Sequence, residues 1–155
     1  MAKRLINKAL VFLAGAFFFN VAQALEAPTG SIILEVTGNI THTNVGNEAH
    51  FDKAMLEALT QRTTVTSTPW HDGVVSFEGP LGRALLDAVG AEGEQLNVVA
   101  LNDYSSTVPV RDFYEHDVIL AMQADGQPLR IRDHGPLFVI YPFDENSSLL
   151  NEEIL

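Results

Sequence analysis

Three short apolar runs, Leu96–Leu101, Val118–Met122 and Leu137–Tyr141, stand between polar stretches in the second half of the chain. Each is too short for a stable helix and rich in Val, Ile or Leu, so each is expected to be a buried strand. Further strands are expected at Ser31–Thr37, closed by the turn Gly38-Asn39, and at the alternating β-branched segment Thr63–Thr68. Val74–Phe77 is a brief extended piece. Helical spacing appears twice. Phe51, Met55 and Leu59 recur every four residues, predicting about three helical turns that begin at Asn47 or Glu48 after the polar loop Ile40–Asn47. Leu81, Ala84, Leu85, Ala88 and Val89 form a second apolar stripe, opened by Gly79-Pro80 and stopped by Gly90. Pro109 starts a short helical turn through Phe113. Asp125-Gly126 is the turn of a hairpin between Val118–Gln123 and Leu129–Arg132, and Gly135-Pro136 breaks the chain before the last strand. No repeat or linker interrupts this order. The pattern predicts one α+β domain with a mixed sheet and two main helices.

The first two dozen residues stand apart from it. Lys3, Arg4 and Lys8 precede the apolar run Ala9–Phe19, and Ala22-Gln23-Ala24 has the small-x-small form of a cleavage site. Residues 1–24 are therefore expected to be an export signal and residues 25–155 the folded domain, released without a membrane anchor. Six basic residues remain after position 24 against all twenty acidic ones, a net charge of −14. Such a domain is a poor partner for nucleic acid or an anionic membrane, both of which need Lys and Arg clusters. There is no cysteine. That suits a disulfide-free protein of a bacterial periplasm, and it removes thiolate catalysis and thiolate metal ligation within this chain.

The polar residues flanking the apolar runs are the candidates for chemistry. Asn102, Asp103, Tyr104 and Ser105 follow the first run, and Arg130, Arg132, Asp133 and His134 precede the last. Strands that end in such a rim describe a pocket at a sheet edge. Trp70, the single tryptophan, serves either as a rim anchor or as a stacking wall for a flat heterocycle. Asp103 is either a turn carboxylate or the acceptor of two parallel hydrogen bonds from an amidine-like ring edge. Arg130 and Arg132 would share one side of a regular strand, neutralised by nearby acids or holding an anionic ligand. None of the five histidines pairs at helical spacing, and no serine sits in a nucleophile elbow, so neither a metal site nor a hydrolase is indicated.

The segments STPWHDGVVSFEGPLGRALLDAVGA (67–91), VVALNDYSSTVPVRDF (98–113) and DGQPLRIRDHGPLFVIYPFD (125–144) together resemble the oxidoreductase molybdopterin-binding domain, the fold of the sulfite oxidase catalytic core. The F-x-G-P-L, A-L-N-D-Y and G-P-L-F-V-I-Y-P motifs carry the likeness over roughly Gly30 to Asp144. Enzymes of that family hold molybdenum through a cysteine thiolate; the stretch Thr66–Trp70 offers Ser, Thr, Pro and Trp instead. The resemblance thus implies the small exported, PruR-like branch, whose members bind a free pterin and signal to the periplasmic domain of a membrane-bound cyclic-di-GMP-metabolising enzyme. It implies ligand contacts at Trp70, Asn102, Asp103, Tyr104, Ser105 and Arg132, with no metal and no catalysis. Two alternatives stand beside it: a molybdopterin-dependent oxidoreductase using a cofactor not ligated by cysteine, and a plain interaction module.

Overall fold

A computed structural model describes residues 24–149. The expected export signal, apart from Ala24, and the last six residues of the acidic tail lie outside the described residues. Ten strands and three helices follow one another as β1 (Ile32–Val36), β2 (Ala49–Asp52), α1 (Lys53–Glu57), β3 (Gln61–Thr68), β4 (His71–Pro80), α2 (Gly82–Val89), β5 (Gln95–Val99), β6 (Ser105–Pro109), α3 (Val110–Glu115), β7 (Ile119–Ala121), β8 (Gln123–Ala124), β9 (Gln127–Pro128) and β10 (Phe138–Ile140). The class is α+β, as the hydropathy pattern predicts.

The centre is built by the run Val118–Met122. Its residues are buried on both faces, with Leu120 and Met122 entering one apolar cluster, Ile119 and Ala121 a second, and Val118 a third. A strand buried on both sides needs this unbroken apolar sequence. β7 pairs antiparallel with β10, and β8 continues it into the antiparallel sheet β3-β4-β8-β9. β1-β2 and β5-β6 are separate antiparallel ribbons. α2 lays Leu85 and Val89 on the first cluster and Leu86 on the third. It ends where Gly90 turns left-handed (φ 59°). Its first turn has no side-chain cap; Gly82 N–H donates to Val118 O at 2.9 Å instead, and the missing side chain of Gly82 makes room for the Phe113 ring.

Several expectations are corrected. The residues expected to start the first helix form β2, because Ala49 and Phe51 alternate inward against β1 while His50 faces out. Only five residues of that helix remain, begun by the Asp52 carboxylate, which accepts from Met55 N–H at 2.9 Å. Among the described residues α1, α2 and α3 are all short, and α2 is the longest of them. Trp70–Gly73 is not a loop throughout: β4 starts at His71 and extends the expected Val74–Phe77 piece to ten residues. Pro80 closes β4 rather than opening α2. Leu96–Leu101 is not buried. β5 shows alternate exposure, and Leu101 is 73 % exposed beyond its end. Finally, the Asp125-Gly126 hairpin returns only through Gln127–Pro128. Leu129 N–H still donates to Met122 O at 2.9 Å, but the chain then leaves the ladder and Ile131–Asp133 turns into one 3-10 helical turn, so Arg130 and Arg132 do not share the side of a strand.

Candidate functional site

The ends of β3, β4 and β10 meet at one place. β3 faces inward with Thr64, Thr66 and Thr68 and outward with Thr63, Val65 and Ser67, the period-two alternation of a half-buried strand. Its pairing with β4 slips between Ser67 and Thr68, a bulge that re-aims the side chains beyond it. Trp70 and His71 follow directly. From the other side comes Arg130–Leu137, in which His134 adopts a left-handed backbone (φ 68°) and leads into Phe138. A non-glycine residue in that conformation is held there by its surroundings.

Four rings gather. Trp70 meets Phe138 edge-on, with centroids 5.3 Å apart and planes at 70°. His134 stacks on Phe138 at 4.9 Å and 17°. His71 lies 5.9 Å from His134, 6.2 Å from Phe138 and edge-on to the buried Phe77 at 5.2 Å. The buried hydroxyl of Thr68 fixes His71 through Nδ1 at 2.8 Å and accepts from Trp70 N–H at 3.3 Å. Beside them, Asp144 clamps the end of β3, taking Ser67 N–H at 2.8 Å and the Ser67 hydroxyl at 2.5 Å. Those two hydrogen bonds, the hydroxyl's first, hold the Asp144 carboxyl below its usual range. Both hydroxyls at the end of β3 are thus engaged.

The six residues expected to bind ligand fall into two groups. Trp70 belongs to the ring cluster. Arg132 stands two residues before His134, 70 % exposed, with its Nε 3.8 Å from Asp133 Oδ2; Arg130 Nε reaches the same oxygen at 2.6 Å. Asp133 therefore offsets both arginines. Asn102, Asp103, Tyr104 and Ser105 form the far end of the β5-β6 ribbon. Ala100 N–H donates to Tyr104 O, Asp103 N–H to Ala100 O, and the Asn102 side chain accepts from Tyr104 N–H. Asp103 takes a left-handed backbone (φ 64°) there, a conformation its short polar side chain tolerates, so its turn role is the one the backbone uses. Among the described residues no hydrogen bond, ion pair or ring contact joins the two groups. Two concavities, of about 200 and 360 Å³, lie elsewhere: one between Arg62, Glu78 and Gln123, the other around Gly30, Asp52 and Glu57. None of the six lines either.

The sequence reading missed His71, His134 and Phe138 as a unit. His71 and His134 are 63 positions apart, so helical spacing could not pair them; their shared signal was position near a strand end, with Trp70 next to His71 and Phe138 four residues after His134. What the cluster offers chemically is aromatic faces and edges, two imidazoles and an arginine close by, with no activated hydroxyl and no thiol.

Compared with protein families, residues 33–143 match the model described as the oxidoreductase molybdopterin binding domain. A comparison with curated proteins finds no match.

Proposed function

The chain belongs to the oxidoreductase molybdopterin binding domain family, and from that premise we propose that it binds a pterin as an exported sensor rather than as an enzyme. The observation that carries this reading is the convergence of Trp70, His71, His134 and Phe138 at the strand ends of a chain without cysteine. A thiolate-anchored molybdenum does not fit the residues present. No sulfur ligand exists in the chain other than methionine, and the Ser67 and Thr68 hydroxyls are already bonded to Asp144 and His71. The residue types present suit a flat, nitrogen-rich ring better: it needs an aromatic surface to lie on, and donors and acceptors for its edges. Trp70 and Phe138 provide the first; His71, His134 and Arg132 provide the second.

In this reading the acidic surface meets a basic face on the partner. That partner is the periplasmic domain of a membrane-bound cyclic-di-GMP-metabolising enzyme, as in the regulators that the sequence motifs resemble. The ligand state of the ring cluster sets the affinity of docking, and the chain performs no catalysis of its own.

The sole tryptophan supplies the test. Titrating the purified protein with an oxidised and a tetrahydro pterin is expected to change Trp70 fluorescence saturably. By calorimetry, Trp70→Ala is expected to weaken binding about tenfold or more, which corresponds to ~1.4 kcal/mol. Fluorescence unchanged at millimolar pterin refutes the assignment. The family's own name favours one second reading, a molybdopterin-dependent oxidoreductase using other ligands. Stoichiometric molybdenum in protein isolated from its native compartment would establish it.

A further inference from the structure

The outward face of the β1-β2 ribbon carries a second constellation, unconnected with the ring cluster. Glu35 stands directly opposite His50 in the antiparallel register, and Glu48 lies two residues before His50 on the same side. One carboxylate oxygen from each glutamate and one imidazole nitrogen all lie within 4.8 Å of one another. His50 Nε2 and Glu48 Oε2 are 2.7 Å apart. A carboxylate only accepts, so the imidazole donates and a proton occupies the space between them.

Two features separate this cluster from an ordinary acidic surface. The first is its nitrogen ligand, which is largely sheltered: the His50 side chain is 15 % exposed. The Asn44 side chain holds the backbone on both sides of it, accepting from His50 N–H and donating to His50 O, each at 2.8 Å. The second is the charge balance. Among the described residues neither Glu35 nor Glu48 makes an ion pair with any Lys or Arg, although two like charges brought this close repel each other. A cation at that point would balance both carboxylates.

We propose that Glu35, Glu48 and His50 bind one divalent transition-metal ion of the zinc type. Its ligands are His50 Nε2 and one oxygen from each carboxylate, with water completing a tetrahedron. Mixed imidazole and carboxylate donors suit this class and not the all-oxygen sites of Ca²⁺ or Mg²⁺. On binding, the Nε2–metal bond forms and the Nε2–H bond breaks, its proton leaving to solvent. The two ligand atoms now in hydrogen-bond contact spread to about 3.3 Å, the edge of a tetrahedron with metal–ligand bonds near 2.0 Å. Little chain movement is needed, because both glutamate side chains are long and substantially exposed. The ion would tie β1 to β2 across the ribbon.

Equilibrium dialysis of the full chain against Zn²⁺, with Mg²⁺ as a comparison, tests this. One Zn²⁺ per chain is expected, bound at least tenfold more weakly by His50→Ala and by Glu35→Gln and unaffected by His116→Ala. Mg²⁺ should not compete. Glu35 is exposed and its substitution leaves the fold intact, so the test does not depend on how well His50→Ala folds. Absence of binding at 1 mM Zn²⁺, or binding that both variants retain, overturns the proposal. Binding retained by both and lost in His71→Ala overturns it equally, since the ion would then belong to the ring cluster.

Discussion

Asp52 gathers three backbone N–H groups on one carboxylate. Its carboxylate accepts Met55 N–H at 2.9 Å, Gly30 N–H at 2.7 Å and Thr29 N–H at 2.8 Å, so it caps α1 and pins the strand entry to it. These bonds, the one from Met55 foremost, hold its acid dissociation below the ordinary 3.8. A carboxyl whose folded value is depressed contributes stability that is fully present above the unfolded value and lost as pH falls through the folded one. Asp52→Asn is therefore expected to lower stability at pH 7 and to narrow the gap to wild type below about pH 4, read from urea unfolding midpoints across pH. A midpoint difference independent of pH would show that the charge is immaterial. The sequence hid this residue. Phe51, Met55 and Leu59 fit helical spacing well enough to mask the strand-to-helix junction between them. The alternation of Ala49, His50 and Phe51 is only three residues long.

Among the elements, β4 shows how a motif can serve packing. In F-x-G-P-L the glycine lies against the next strand: a Cβ on Gly79 would stand 2.0 Å from Leu120 O. The backbone of β4 thus runs against β7, where Met122 N–H donates to Glu78 O at 2.8 Å and Leu81 bridges to Ile119. Gly79→Ala is expected to cost about 1–3 kcal/mol, measured by urea denaturation, without altering Zn²⁺ uptake. A loss under ~0.5 kcal/mol would mean the strands can part cheaply. At this scale the sequence was a good guide wherever one segment decided the outcome. The α2 stripe, its Gly90 stop, the doubly buried Val118–Met122 run and the Pro109 turn into α3 all stand where hydropathy placed them. It was a poorer guide where a partner decided. The β5-β6 ribbon exposes alternate residues of a run that composition alone makes look buried, since it has sheet on one side only.

Across the whole molecule, one carboxylate gathers distant segments. Asp117 takes Arg62 of β3 and Arg83 of α2, and Arg62 continues to Glu145 beyond β10 at 2.7 Å. The Arg83 hydrogen bond first, then the charges of both arginines, hold Asp117 below its usual range against the opposing effect of burial. In a chain of net charge −11, with nine basic residues against twenty acidic, two arginines on one aspartate are a notable commitment. Because the group is partly exposed, Asp117→Asn is expected to cost only about 1 kcal/mol, and less in 1 M salt; thermal unfolding at two salt concentrations measures both. No local pattern could reveal this network or the ring cluster. Each joins residues tens of positions apart, and only the folded backbone sets their distance. The candidate ligand residues divided accordingly: Trp70, singled out by its rarity, lies in the ring cluster, whereas Asn102–Ser105 lies at the far end of the β5-β6 ribbon, where the Asn102 side chain accepts from Tyr104 N–H.

The Asp144 clamp on Ser67 bears on how a guest ring would stay. With the hydroxyls at that strand end spoken for, a guest there would meet rings and imidazoles rather than a free hydroxyl. Under the proposed reading, whatever settles on Trp70 and Phe138 is held by contact between surfaces, as a coin is held by fingertips. On that reading the site would follow the rise and fall of a metabolite around it rather than keep a permanent prosthetic group.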